Sequence, residues 1–130
     1  MPLAYDVTVY PKDAPIADAE SASSFVDLRG AKRGSIYVPS GWTAASIAFN
    51  VQQKSAANGV SGAVTPAKIR TKAGVICRID GIKTAEAGWY EIPDEVFKGP
   101  GWVSLVSTNT ASEAAANQTG AKALAVCLVS

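Results

Sequence analysis

Gly34-Ser35-Ile36-Tyr37-Val38-Pro39-Ser40-Gly41-Trp42-Thr43-Ala44-Ala45-Ser46-Ile47-Ala48-Phe49-Asn50-Val51 decides the fold class of this chain. Ile36 and Val38 alternate with Ser35 and Tyr37, and Ile47, Phe49 and Val51 alternate with Ala48, Asn50 and Gln52. Alternation with period two places every second side chain on one face of an extended strand. Pro39 to Trp42 opens a loop between the two runs. Two strands, each with one wet or interfacial face, are the reading.

Working outward, the pattern recurs. Leu3, Tyr5, Val7 and Val9 alternate with Ala4, Asp6, Thr8 and Tyr10, and further strand-like runs lie at Ser24 to Leu28, Ala67 to Thr71, Val75 to Ile79, Gly88 to Ile92, Trp102 to Ser107 and Lys122 to Val129. Arg29 to Gly34, Lys72-Ala73-Gly74 and Asp80-Gly81 supply turns, and Asn58-Gly59-Val60-Ser61-Gly62 sits in a longer loop from Ser55 to Pro66. The count is about eight strands at the spacing of an antiparallel β-sandwich. Pro93-Asp94-Glu95-Val96-Phe97 has proline at a first-turn position and acids where a helix dipole favours them, which predicts one helical turn. Ser112 to Asn117 has the composition of a short helix or a loop. Residues 11–23 are small, polar and proline-bearing and read as an exposed connection after an N-terminal strand or arm. At 130 residues, the whole chain, 1–130, reads as one all-β domain.

Composition narrows the chemistry. Twelve basic against eleven acidic residues, with no basic run longer than Lys32-Arg33, argue against a direct nucleic-acid partner. No apolar stretch reaches bilayer length and no leader pattern opens the chain, so the expectation is a protein made and kept soluble in a cytoplasm, with no membrane partner. The sequence contains no histidine. Serine nucleophiles and metal sites thereby lose their usual imidazole, and neither a Gly-x-Ser-x-Gly elbow nor a phosphate-cradling glycine loop is present. Glu86, Glu91, Asp94 and Glu95 are the remaining acid/base candidates, but two of them are first-turn residues and Glu91 falls on a polar strand face. A glycosidase needs two carboxylates across a cleft. The expectation is a protein that is not an enzyme, with no catalytic residue, metal or cofactor.

The two cysteines, Cys77 and Cys127, sit inside apolar runs. They read as buried thiols in a reducing compartment or as a cross-strand disulfide, and spacing along the chain leaves both open. The three tryptophans, Trp42, Trp89 and Trp102, read as core packing or as platforms for sugar rings. On its strand Trp102 shares a face with Val106, opposite Val103 and Leu105. The last strand is apolar on both faces, as expected of a strand central in its sheet or covered by another subunit. Candidate protein-interface residues are Trp102, Val106 and Tyr37 on exposed faces, Asn58 and Val60 in the long loop, and Tyr5 and Tyr10 in an N-terminal stretch able to reach a neighbour as an added strand.

Four stretches carry a resemblance: Ser24-Phe25-Val26-Asp27-Leu28-x-Gly30; Gly34-x-Ile36-x-Val38-Pro39-x-x-Trp42-Thr43-Ala44-Ala45-x-Ile47-x-Phe49-x-Val51; Trp89-Tyr90-x-Ile92-Pro93-x-Glu95-Val96-Phe97; and Trp102-Val103-x-Leu105-Val106-Ser107-x-x-Thr110. Together the pattern, from Ser23 to Leu128, resembles small virion proteins of tailed bacteriophages, of the head-decoration or minor-capsid kind. Its motifs are structural signatures. The resemblance implies a jelly-roll-like sandwich on the capsid exterior that binds the major capsid protein lattice and reinforces the head. It also implies a homo-oligomer at symmetry axes, with a trimer favoured. Ser55 to Pro66 is longer than the pattern's usual connection, and Cys77 and Cys127 lie outside it. Two other classes remain open: a carbohydrate-binding sandwich using an exposed tryptophan, and a neck, tail or fibre-base component.

Overall fold

In the computed structural model, which describes residues 9–51, 67–98 and 101–130, the quoted stretch forms two strands on opposite sides of the core. The first, β3 (Arg33–Val38), buries Gly34, Ile36 and Val38, and the second, β4 (Ser46–Val51), turns Ile47 and Phe49 to the same interior. The chain crosses from one sheet to the other between them. Gly41 takes φ +84°, a conformation open to glycine, and its N–H donates to Thr84 O at 2.7 Å. Trp42 is 2% exposed and donates from Nε1 to Ala45 O at 3.1 Å, so this tryptophan belongs to the core.

The remaining strands are β1 (Val9–Asp13), β2 (Val26–Asp27), β5 (Ala67–Lys68), β6 (Arg78–Ile79), β7 (Gly88–Glu91), β8 (Trp102–Thr108) and β9 (Ala125–Val129). One antiparallel sheet has the order β1-β9-β3-β7 and the other β2-β8-β4-β5, with β6 also on β4. Nearly everything described is β-strand and connection; the single helical element is a 3-10 turn at Asp94–Lys98. The pairing has a simple logic. The pairs β1/β9, β2/β8, β3/β7 and β4/β5 are successive rungs of one long hairpin ribbon, and folding that ribbon over itself adds the contacts β9/β3 and β8/β4.

The core is the space between the sheets. Ile36, Val38, Val126 and Leu128 of the first sheet face Val26, Ile47, Phe49, Ile79, Val103 and Leu105 of the second, while Ala14, Ile16, Trp42, Ile82, Ile92, Val96 and Leu124 close the ends. Each large aliphatic side chain removed from water in this way contributes about 1.5–3 kcal/mol. The 3-10 turn follows its expected signals: Val96 N–H donates to Pro93 O at 3.0 Å, Asp94 and Glu95 occupy its first turn, and Val96 is buried.

Several expectations are refined or corrected. Most of residues 11–23 are exposed, as expected of a connection, but Pro11, Lys12 and Asp13 belong to β1, and Ala14 and Ile16 are fully buried. Ile16 exchanges both backbone hydrogen bonds with Lys122, at 3.0 and 2.8 Å, and the stretch then runs along β8, where Ser23 N–H donates to Leu105 O at 2.9 Å. Val9 and Tyr10 pair with Val129 and Leu128 of the same chain, so this part of the N-terminal stretch completes its own sheet; residues 1–8 lie outside the described residues. Pro11 sits on the edge strand. Because Ala14 N–H points to Leu124 O, alternation turns the Pro11 nitrogen to the open edge, where a missing donor breaks no ladder bond. Of the two readings of Ser112 to Asn117 the loop holds, folded around Asn109 Oδ1, which accepts from Ala111 and Ser112 N–H at 2.9 and 3.1 Å.

Two further devices lock the sandwich. A Cβ added at Gly34 would lie 2.8 Å from Cys127 O, so only glycine lets β3 approach β9 at this point. Gln118 is buried, and its amide accepts from Thr43 N–H at 2.8 Å and donates to Thr43 O at 3.0 Å and Ser107 Oγ at 2.8 Å. It ties the loop before β9 to the β3-β4 crossing and to β8. Gly34→Ala is therefore expected to lower stability by about 1–3 kcal/mol, and Gln118→Ala by about 1–3 kcal/mol through the polar groups left unpaired. Ser35→Ala, on the outer face next door, should stay within about 0.5 kcal/mol. Urea unfolding midpoints at unchanged m-value measure all three.

Candidate functional site

Strand parity gives the first sheet an inner and an outer face. The outer face carries Arg33, Ser35 and Tyr37 of β3, Trp89 and Glu91 of β7, and Ala125, Cys127 and Val129 of β9. Register then sets these side chains in rows. Tyr37 stands opposite Trp89 on one side and Ala125 on the other; Ser35 stands opposite Glu91 and Cys127; Arg33 stands opposite Val129. Rows on one face are about 6.8 Å apart along a strand, and neighbours across strands about 4.8 Å.

Side-chain size does the rest. The middle row has the small Ser35 and Cys127 as its floor, between bulky Tyr37 and Trp89 above and Arg33 below. The result is a concavity of about 430 Å³ lined by Arg33, Gly34, Ser35, Trp89, Glu91, Cys127 and Val129, within the usual range of small-molecule sites. Trp89 is 59% exposed, and its ring meets the half-buried Tyr37 ring at a centroid distance of 5.4 Å and an interplanar angle of 58°. A tilted contact of this kind is favourable between aromatic rings.

The other proposed residues fall elsewhere. Trp102 is half-buried at the start of β8, and the Arg29 guanidinium carbon lies 4.9 Å from its ring centroid. Asp27 fixes that guanidinium, accepting from Arg29 Nε at 3.0 Å and Nη2 at 2.9 Å. The Arg29 hydrogen bond holds the Asp27 carboxyl below its ordinary range. Trp102 is thus roofed by its own chain. Val106 was expected on an exposed face but is 3% exposed. It pairs with Ala48 on the face of the second sheet turned away from the core cluster, and both faces of β8 are buried there. Tyr5, Asn58 and Val60 lie outside the described residues, and Tyr10 is placed only as the partner of Leu128 in β1.

The carboxylates Glu86, Glu91, Asp94 and Glu95 are all exposed. A second cluster, Ser46, Arg78, Asp80 and Thr110, is internally satisfied: Ser46 Oγ donates to Asp80 Oδ1 at 2.6 Å, Arg78 Nε meets the same oxygen at 3.0 Å, and Arg78 Nη1 donates to Thr110 O at 2.9 Å. It straps a loop to the second sheet.

Both cysteines are free thiols, in different places: Cys127 is half-buried on the outer face of the first sheet, and Cys77 is buried beside β6 of the second. Burial, and then the charge of Glu95, push the Cys77 thiol above its ordinary value. A raised acid pKa favours the folded state fully below the unfolded value and loses that contribution as pH rises through the folded one. Ellman's reagent should therefore label Cys127 in the native protein at neutral pH and reach Cys77 only on unfolding; equal rates for Cys127→Ser and Cys77→Ser variants would contradict this. Comparison of the chain with protein-family models, with curated proteins and with solved structures finds no match.

Proposed function

We propose that this chain is a structural protein of a tailed-bacteriophage virion, a jelly-roll sandwich on the capsid exterior that binds the major capsid protein lattice and reinforces the head. One observation carries the reading: the strand order. A sandwich in which β1-β9-β3-β7 covers β2-β8-β4-β5 supports the jelly-roll reading, an architecture used by viral capsid and lectin domains. The likeness of Ser24 to Gly30, Gly34 to Val51, Trp89 to Phe97 and Trp102 to Thr110 to phage virion proteins favours the capsid side of that pair.

The work in this reading is adhesion, not chemistry. Shape complementarity over a standard-sized interface of about 1,600 Å² holds one protein on another without a reactive group. A protein that binds only the mature shell stabilises it by mass action, and each copy adds its own increment. A homo-oligomer, a trimer by preference, matches the symmetry axes of such a lattice. Made in the host cytoplasm, the protein joins the particle after the shell has formed.

Particles of the encoding phage, prepared with and without this protein, should differ in resistance to heat and to chaotropes, with the protein-free heads failing first. The protein should also be present at lattice stoichiometry by quantitative mass spectrometry of purified virions. Identical resistance removes the cement role. A few copies at a single vertex would instead place the protein in a neck, tail or fibre base.

A further inference from the structure

We infer that the concavity on the outer face of the first sheet is a saccharide-binding site, which takes a neutral hexopyranose stacked on Trp89 with its hydroxyls shared among Arg33, Ser35 and Glu91. The inference stands on these residues alone and holds whether or not the chain belongs to a virion.

The tryptophans divide by cover. Trp42 is core and Trp102 lies under Arg29, which leaves Trp89 as the one whose ring is offered outward. Among the described residues, Trp89 is the largest of the exposed large hydrophobic side chains, beside Val9 and Val75. The indole packs against Tyr37 at 5.4 Å and presents an electron-rich aromatic surface. The axial C–H groups of a pyranose present a weakly positive apolar face that fits such a surface.

The polar groups select among ligands that like an aromatic plate. Glu91 is an acceptor, Arg33 presents a fork of donors, and Ser35 can be either. Vicinal hydroxyls, each donor and acceptor at once, satisfy that mixture. An apolar peptide would strip water from Arg33 and Glu91 without pairing them, which disfavours it. A phosphate ester would gain Arg33 but meet Glu91. One guanidinium and one carboxylate make the lining formally neutral, so a neutral ligand with many hydroxyls fits it best. Among the described residues β7 is an edge strand, and Trp89 and Glu91 stand at the border of the sheet.

The test uses the full chain and panels of neutral gluco-, galacto- and manno-configured oligosaccharides, followed by tryptophan fluorescence and by calorimetry. A dissociation constant of about 1 mM or tighter is expected. Saturable binding of at least one panel member is expected, with a fluorescence change that Trp89→Ala abolishes. Trp89→Ala should lose at least tenfold in affinity, Trp89→Phe should retain part of it, and Glu91→Gln should weaken it severalfold. Because Trp89 is exposed, the urea midpoint of Trp89→Ala should stay near that of the parent, which separates lost binding from lost folding. No saturable binding by any neutral saccharide up to about 10 mM overturns the inference. So does binding that survives Trp89→Ala, and so does a sulfated oligosaccharide or an apolar peptide that binds more tightly than every neutral sugar.

Discussion

The structure depends on the seating of β9 between β1 and β3. Val9 to Asp13 pair with Val129 to Ala125 on one side, and Arg33 to Tyr37 pair with the same five residues on the other. The zipper runs further than the strands: Ala14 donates to Leu124 O at 3.0 Å, Ile16 and Lys122 exchange bonds, and Lys32 N–H donates to Val129 O at 2.8 Å. Val126 and Leu128 then belong to the core's first-sheet wall, with Leu124 buried beside them. Until this strand arrives, β1 lacks its sheet partner and Ile36 lacks Val126 beside it. Pairing strands as far apart in sequence as β1 and β9 incurs loop-closure entropy before any contact offsets it, and such non-local pairing slows folding.

Closure also explains why the two faces of the first sheet differ so sharply. Inward, aliphatic side chains stack in register against the second sheet. Outward, the same strands carry Ser35, Ala125 and Cys127 beside Tyr37, Trp89, Arg33 and Glu91. A flat outer face would need side chains of equal size, and these are not equal. The depression is a consequence of register. Moving β7 by one residue against β3 would turn Trp89 and Glu91 inward and bring Tyr90 out, and both the core and the concavity would be lost together.

How much of this was legible in the sequence follows from what periodicity measures. Alternation located β3, β4, β8 and β9 because their inward residues are large and branched. It passed over Ala14 and Ile16, since an alanine and one isoleucine among small polar residues make no visible stripe, yet both are fully buried. Parity placed Trp102 and Val106 on one face of β8, as found, but parity does not say what covers a face; Ser21 to Ser23 along the edge of β8 and the Arg29 guanidinium over Trp102 come from distant turns of the chain. Gln118 went unnoticed because a lone glutamine before a Gly-containing loop looks like surface. Its three amide hydrogen bonds exist only once Thr43 and Ser107 are brought beside it. Strand partners were illegible for the same reason: backbone ladders carry no sequence signature, and the order β1-β9-β3-β7 is a property of the folded ribbon.

The candidate site inherits its rigidity from the same construction. Its wall is the β3-β7 ladder and part of its floor is β9, so its residues come from three strands whose backbones are mutually hydrogen-bonded. No loop has to close over a ligand, and little conformational entropy is lost on binding. The stabilisation a ligand gives is equally defined: at ten times its dissociation constant a single-site ligand adds about 1.4 kcal/mol to the folded state. Here that increment bears on β9, because Cys127 and Val129 line the site only when the last strand is seated. A ligand on the outer face therefore reinforces the strand on which the inner face relies, and the two surfaces of the first sheet are linked through one ladder.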